Sequence, residues 1–277
     1  MRRASVPILT IDSITKLAPD VAGAVAVAAS HGGLYAAYLA ACGKLRGVVL
    51  NDAGVGLDQA GIAGLAYLDE LEIAAAAIDC FSARIGDGAD MMARGIISHV
   101  NRTAARLGLS AGQACAEAAE ALRASTPPQR EPPAFGEARV RLRERPGEPA
   151  VWGLDSNSLA TEEDRGAILV TGSHGGLLGG KPESAIRTAA LAAIYNDAGI
   201  GIDRAGISRL PALAARGIAA ATVAAASARI GDARSSWETG RLSAINAPAE
   251  AGGVRLGMSV PEFVEAVLRQ WRARKRS

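Results

Sequence analysis

The string Asn51-Asp52-Ala53-Gly54-Val55-Gly56-Leu57-Asp58-Gln59-Ala60-Gly61-Ile62 is written again as Asn196-Asp197-Ala198-Gly199-Ile200-Gly201-Ile202-Asp203-Arg204-Ala205-Gly206-Ile207. Repetition of so polar and glycine-rich a run constrains the fold more than any other feature, because an internal repeat decides the architecture before residue-level reading begins. Each copy follows an apolar run, Gly47 to Leu50 and Ala192 to Tyr195, and precedes a helical pattern. That is the layout of a strand, a loop and a helix.

The register extends well beyond these copies. Asp12-Ser13 returns as Asp155-Ser156, and Ser30-His31-Gly32-Gly33 as Ser173-His174-Gly175-Gly176. Ser82-Ala83-Arg84-Ile85-Gly86-Asp87 returns as Ser227-Ala228-Arg229-Ile230-Gly231-Asp232, and Gly95, Ser98 and Asn101 match Gly240, Ser243 and Asn246. The order never changes. The unit is too long for a solenoid repeat and long enough for a domain. The expected organisation is a first α/β repeat over 5–122, a Pro/Arg-rich linker over 123–148, a second α/β repeat over 149–268 and a basic tail over 269–277. Within the linker, Arg139 to Arg143 alternates as an edge strand would.

In the first half, strands are expected over 6–11, 22–29, 46–50, 73–78 and 96–100, with helices over 34–42, 59–71 and 110–122. Strands alternating with helical segments predict layered α/β domains with mainly parallel sheets, here in tandem and related by a pseudo-twofold axis. Hydrophobic residues make up 49% of the chain and aromatic ones only 4%, so the core is built from Ala, Val, Ile and Leu, which suits close helix–sheet approach. Asp58 is placed to cap the helix that follows it, and Gly61 to let that helix press on the sheet.

The charge balance, 30 basic against 28 acidic residues, gives no field for nucleic acid or for an anionic membrane. The apolar run 21–29 follows Asp12 and Asp20 and reads as a strand, not an export signal. No run approaches the roughly 20 apolar residues of a membrane span. Three cysteines without CxxC spacing point to a reduced, cytoplasmic setting. The expected partner is a small-molecule substrate, and a homo-oligomer is compatible with the sequence.

Every duplicated polar motif falls at a strand end, where ligands bind in open α/β sheets. His31 and His174 are read as acid/base groups, since imidazole titrates near neutrality. Gly32, Gly33, Gly175 and Gly176 are read as backbone N–H donors to a developing oxyanion. Asp52 and Asp197 orient or share protons. Asn51, Asn196, Ser82 and Ser227 reach towards the ligand from strand-end loops. Arg84 and Arg229 offer planar forks for a carboxylate or carbonyl, and Asn101 and Asn246 orient it. The structural alternatives are plain: interface histidines, turn-fixing asparagines, and arginines paired with Asp87 and Asp232.

Other signals fall away. Gly108-Leu109-Ser110-Ala111-Gly112 matches the nucleophile-elbow string, yet its counterpart Gly257-Met258-Ser259-Val260-Pro261 breaks it. Both serines read instead as capping boxes, with Gln113 and Glu262. Cys80 preceded by His31 resembles the His and Cys pair of caspase-like peptidases, but the second half has Ala225 there and a strand intervenes. The NDAG loop matches neither GxGxxG nor GxxxxGK[ST], which leaves nucleotide binding a minor alternative. No cofactor is favoured. A divalent metal on His and Asp side chains ranks below a metal-free site, because no HExxH spacing exists. The expectation is an enzyme on a small polar or anionic metabolite, hydrolysing an amide or ester. The alternatives are a lyase or isomerase, and a binding or sensing protein for a small anion. Where the halves differ, at Asp79, Cys80, Lys181 and Trp237, a division of labour would show.

Overall fold

The computed structural model describes residues 6–276. Residue 5, the expected start of the first repeat, and residue 277, the end of the basic tail, lie outside them. The described residues form two compact units, one of residues 6–55, 59–136 and 201–203, the other of 56–58, 137–200 and 204–276. Each holds a mixed, mostly parallel sheet covered by helices. Among the described residues no helix is long and apolar enough to cross a membrane.

The first sheet runs in the order β1 (Ile8–Ile11), β2 (Val25–His31), β3 (Gly47–Asn51), β4 (Ala74–Ile78) and β5 (Ile97–Val100). The first four strands are parallel and β5 is antiparallel to β4. Alternation sorts the buried side chains onto two faces. Ala26, Ala28, Val48, Leu50, Ala75 and Ala77 pack under α1 (Leu34–Cys42) and α2 (Ala63–Glu70). Val25, Val27, Val49, Ala76 and Ile78 pack under α3 (Gly88–Arg94), α4 (Arg102–Ala105) and α5 (Cys115–Leu122). The chain therefore leaves β2 and β3 towards one face and β4 towards the other. Connections that part between neighbouring parallel strands open a crevice at their carboxyl ends.

The second sheet has the order β6 (Arg139–Arg143), β7 (Val151–Leu154), β8 (Ile168–His174), β9 (Ala192–Asn196), β10 (Ala219–Val223) and β11 (Leu242–Ile245). Its two outer strands are antiparallel to their neighbours. The alternating Arg139–Arg143 run is thus an edge strand, as its pattern predicts. One face carries α6 (Arg209–Ala215). The other carries α7 (Ala233–Thr239), α8 (Ala247–Ala251) and α9 (Val260–Arg276).

Among the described residues the second unit has no α-helix at the place that α1 takes in the first. Gly179 and Gly180 adopt φ values of 57° and 68°, and Pro182 follows, so the stretch after His174 forms only short 3-10 turns. Its carbonyls then lack helical N–H partners. Arg209 and Arg216 supply them: Arg209 donates to Ser184 O and Ala185 O, and Arg216 to Ile186 O and Thr188 O at 2.7 Å each. In the first unit the position of Arg209 is taken by Gly64. A Cβ there would lie 2.6 Å from both the Ala37 Cβ and the Gly33 carbonyl, so glycine lets α1 and α2 touch.

Several expectations need correction. Asp58 is no helix cap: it sits at φ 53° in a 3-10 turn, and α2 begins at Ala63. Gly61 does not press a helix on the sheet. A Cβ on it would stand 2.2 Å from the Asp52 carbonyl, so it lets the loop close on its own start. The Ser259–Glu262 capping box opens α9. At Ser110 only the Gln113 side chain reaches back to the backbone N–H, and α5 starts later, at Cys115. The first part of the linker has no regular secondary structure and is strapped to the first unit. Arg46 donates to Arg123 O and Ser125 O, Lys44 pairs with Glu131, and Phe135 stacks near Tyr35 and Tyr38.

Candidate functional site

At the carboxyl edge of the first sheet, His31 ends β2 and pairs with Asn51 at the end of β3. Beyond Asn51 the backbone is unusual. Ala53, Gly54, Val55 and Gly56 are consecutive left-handed residues with φ between 50° and 71°, and Asp58 and Gln59 follow suit. For a residue with a Cβ this costs about 1–2 kcal/mol, most for a β-branched one such as Val55. Side chains hold the loop in place. Asn51 Oδ1 accepts the Ala53 N–H at 2.9 Å and Asp52 Oδ1 the Gly54 N–H at 3.0 Å, while Gly61 donates to Val55 O. Asn196 and Asp197 make the same bonds to Ala198 and Gly199. The Asn51 and Asn196 amides also donate to Ala83 O and Ala228 O, so both fully buried asparagines serve the loops.

The His-Gly-Gly corners do not present an open oxyanion hole. Gly32 N–H is bonded to Asn51 O and Gly33 N–H to His31 Nδ1, and Gly175 and Gly176 repeat this with Asn196 O and His174 Nδ1. All four donors are spent within the protein. A Cβ on Gly33 would lie 2.6 Å from His31 Nδ1, so the glycine is there to admit the ring. Because Nδ1 accepts an N–H, each imidazole carries its own proton on Nε2. Burial pulls His31 down to about 4. It is a neutral donor at physiological pH, not the near-neutral acid/base group expected from its residue type.

The arginines are engaged too. Arg84 pairs with Asp90 at 3.0 Å and Asp87 at 3.4 Å, and hydrogen bonding to Asp90 raises its pKa. Arg229 pairs with Asp232 at 3.0 Å. Asp87 and Asp232 also cap α3 and α7. Ser82 and Ser227 close their own turns by donating to Asp79 O and Ala224 O.

Asn101 and Asn246 are at the wrong end. Because β5 and β11 run antiparallel, the ends of these strands lie at the amino edge of the sheet, opposite the loops above. Asn101 bonds Ala75 N, Ala104 N and Ile73 O, and Asn246 bonds Ala220 N, Ala249 N and Ile218 O. They pin the starts of β4 and β10. The expectation that they orient a ligand fails because strand direction is not visible in a strand's composition.

What remains is the corner where the exits of β3 and β4 part. Asp52 is buried, and Oδ1 accepts the N–H groups of Gly54 and Cys80 at 3.0 Å each. Its other oxygen, Oδ2, accepts from Ser98 Oγ at 2.9 Å. Ser98 sits at a β-bulge between the Ala77–His99 and Ile78–Ile97 pairs. A bulge re-aims a side chain. The next residue, His99, places Nδ1 3.0 Å from Ser98 Oγ. Among the described residues no ion pair involves Asp52.

The equivalent corner of the second unit is chemically bare. Asp197 Oδ1 accepts from Gly199 and Ala225 N–H groups at 3.0 and 2.9 Å. Asp79, Cys80 and His99 are replaced by Ala224, Ala225 and Ala244. Ser243 stands at the corresponding bulge but faces Thr222, which occupies the place of Ala77, with Oγ1 to Oγ at 3.0 Å. The threonine hydroxyl holds the serine, and Asp197 receives no bond from it.

No family model, curated protein or solved structure matches this chain. The site must therefore be read from its own chemistry. Asp52, Asp79 and Cys80 bring one ligand atom each within 4.8 Å of one another. Burial, together with Asp52 and Asp79, pushes the Cys80 thiol up to about 12, so it is protonated at neutral pH. A cation would have to displace that proton as well as the Ser98 hydroxyl. Of the residues gathered here, motif reading marks Asp79 and Cys80 only as points of difference and Ser98 only as part of the repeat, and passes over His99. Their signal was asymmetry between the halves, since all but Ser98 differ there.

Proposed function

We propose that this chain is a hydrolase for an amide or ester of a small polar or anionic metabolite, with one centre at the carboxyl edge of β3, β4 and β5. We read its halves as copies of one α/β domain, of which the first kept the chemistry and the second the framework. One observation carries this: the recurring Asn-Asp corner is lined by Asp79, Cys80, Ser98 and His99 in the first unit, and by alanines and an internally bonded serine in the second.

In this reading His99 is the general base that takes a proton from the attacking water, and Asp52 supports it from the interior. A positioned base contributes about 10²–10⁴-fold to rate. His31, neutral and carrying its proton on Nε2, ends β2, three strands from the β5 that carries His99, and is not the base. Three free thiols suit a reducing, cytoplasmic setting. The rival reading, a small-anion binder, relies on Arg84 and Arg229, both of which already hold aspartates.

The test is a screen of the full chain against small cyclic and acyclic amides and esters. Turnover of at least one class is expected, with a loss of about 100-fold or more in His99→Ala at unchanged melting temperature. Absence of hydrolysis across the set, or a His99→Ala variant as active as the parent, overturns the proposal.

A further inference from the structure

The Asp52, Ser98 and His99 side chains form a continuous line, and its hydrogens can be placed by elimination. Asp52 Oδ1 accepts two backbone N–H groups, and Ser98 Oγ lies 2.9 Å from Oδ2 and 3.2 Å from the Ala77 carbonyl oxygen. Both neighbours are acceptors, so these contacts are favourable only when the serine hydroxyl donates towards them; lone pairs at those distances would repel. Having one hydrogen, Ser98 then cannot donate to His99 Nδ1, 3.0 Å away. Nδ1 must itself be the donor.

We infer that the buried Asp52 carboxylate, acting through Ser98, fixes His99 in its Nδ1–H tautomer and so leaves the Nε2 lone pair as the base that meets substrate or water. Asp52 and Ser98 are positioning residues. This rests on the reading of His99 as the base, and adds how that base is made. His31 and His174 are set the opposite way, since their Nδ1 atoms accept N–H groups from Gly33 and Gly176. One histidine of the three is therefore poised with Nε2 free to take a proton.

When Nε2 of His99 accepts a proton from water, the imidazolium still donates Nδ1–H to Ser98 Oγ, and the Ser98 hydroxyl still donates to Asp52. The carboxylate thus holds the ring in place and stabilises its positive charge through that line. Asp79 and the protonated Cys80 thiol are the other titratable groups at this corner. Neither donates a hydrogen bond to Ser98 Oγ among the described residues.

In the second unit the same carboxylate cannot do this. Both serines contact the carbonyl opposite them, Ala77 O or Thr222 O, but Ser243 is also bonded to the Thr222 hydroxyl, and Ala244 stands where His99 would be. The Ala77 to Thr222 difference thus separates a serine available to a carboxylate from one that is not.

The test reads the ring nitrogens directly, by long-range ¹H–¹⁵N correlation of the full chain labelled on its histidines, at a pH where His99 is neutral and without substrate. The expected pattern is Nδ1–H for His99 beside Nε2–H for His31 and His174. Two variants must shift His99 away from that form. Ser98→Ala removes the acceptor, so the ring returns to the Nε2–H form that neutral imidazole prefers in water. Asp52→Asn is nearly isosteric, and its oxygen must stay towards the Gly54 and Cys80 N–H groups. Its NH₂ then faces Ser98 and donates to it, which frees the serine hydroxyl for His99 Nδ1 in competition with the Ala77 carbonyl at 3.2 Å, so the Nδ1–H population should fall. Nε2–H in the parent protein, or an Nδ1–H signal unchanged in both variants, overturns the inference. The two proposals fail separately. A chain with the Nδ1–H signature that hydrolyses nothing loses the hydrolase reading alone, while a hydrolase with His99 as Nε2–H loses this one.

Discussion

Asn101→Ala is the sharpest probe of which polar residues serve architecture. The Asn101 side chain is 6% exposed. Its Oδ1 accepts the Ala75 N–H at 3.0 Å and the Ala104 N–H at 2.8 Å, and its amide donates to Ile73 O at 2.8 Å. The Ala104 bond is the N-cap of α4, and losing a cap costs about 1 kcal/mol. The Ala75 N–H opens β4 in a buried setting, and stranding such a donor costs about 1–3 kcal/mol. With the Ile73 carbonyl also left unpaired, the sum is about 3–5 kcal/mol, a large share of a typical domain's 5–15 kcal/mol. At a urea m-value of about 2 kcal/mol/M the midpoint falls by about 1.5–2.5 M. Far-UV circular dichroism is the suitable probe, because Trp152, Trp237 and Trp271 all belong to the second unit. Asn246→Ala, with matching bonds to Ala220, Ala249 and Ile218, should behave alike, and there tryptophan fluorescence reports it. A midpoint shift below about 0.5 M, together with lost ligand binding, would refute the structural assignment and restore the ligand-orienting one.

Two further outcomes follow from the titrating groups. His31 stays neutral in the fold down to about 4, whereas the unfolded chain protonates it near 6.5. The unfolded state therefore binds more protons between these values, and stability falls as pH drops from 6.5 to 4, by up to about 3 kcal/mol. His31→Gln should flatten that limb of a stability–pH curve; an unchanged slope would show that the imidazole titrates normally in the fold. Among the thiols, Cys42 is exposed while burial pushes Cys80 and Cys115 up to about 12. Iodoacetamide at pH 8, followed by peptide mass spectrometry, should modify Cys42 in the native protein and the other two only on unfolding. Rapid native labelling of Cys80 would mean that its thiol is ionised.

Much of the fold was legible because local signals and burial agree. The apolar runs ending at His31, Asn51 and Ile78 became β2, β3 and β4, and Leu34 to Cys42 became a helix with the bounds its pattern predicts. Short helices such as Arg102–Ala105 carry too few turns for a periodic signal, and were missed. The site was harder to read, since recurrence marks what both halves share, and what they share here is largely scaffold. Asn51 and Asp52 recur as Asn196 and Asp197 because a left-handed loop needs its carbonyl and carboxylate oxygens to bind backbone N–H groups.

The order of residues alone determined that strands alternate with helices, that the core is aliphatic and small, and that polar loops end the strands. Hydrophobic periodicity and glycine placement are local properties, so a linear reading captures them. Only the tertiary structure decided which loop end faces which edge, because β5 reverses direction and carries Asn101 away from Asp52. It alone set His31 as a neutral donor, since the cost of burying a charge depends on every neighbour at once. And it alone joined Asp52 to His99 through Ser98, because a bulge moves a side chain across a sheet without leaving any mark in the spacing of the chain.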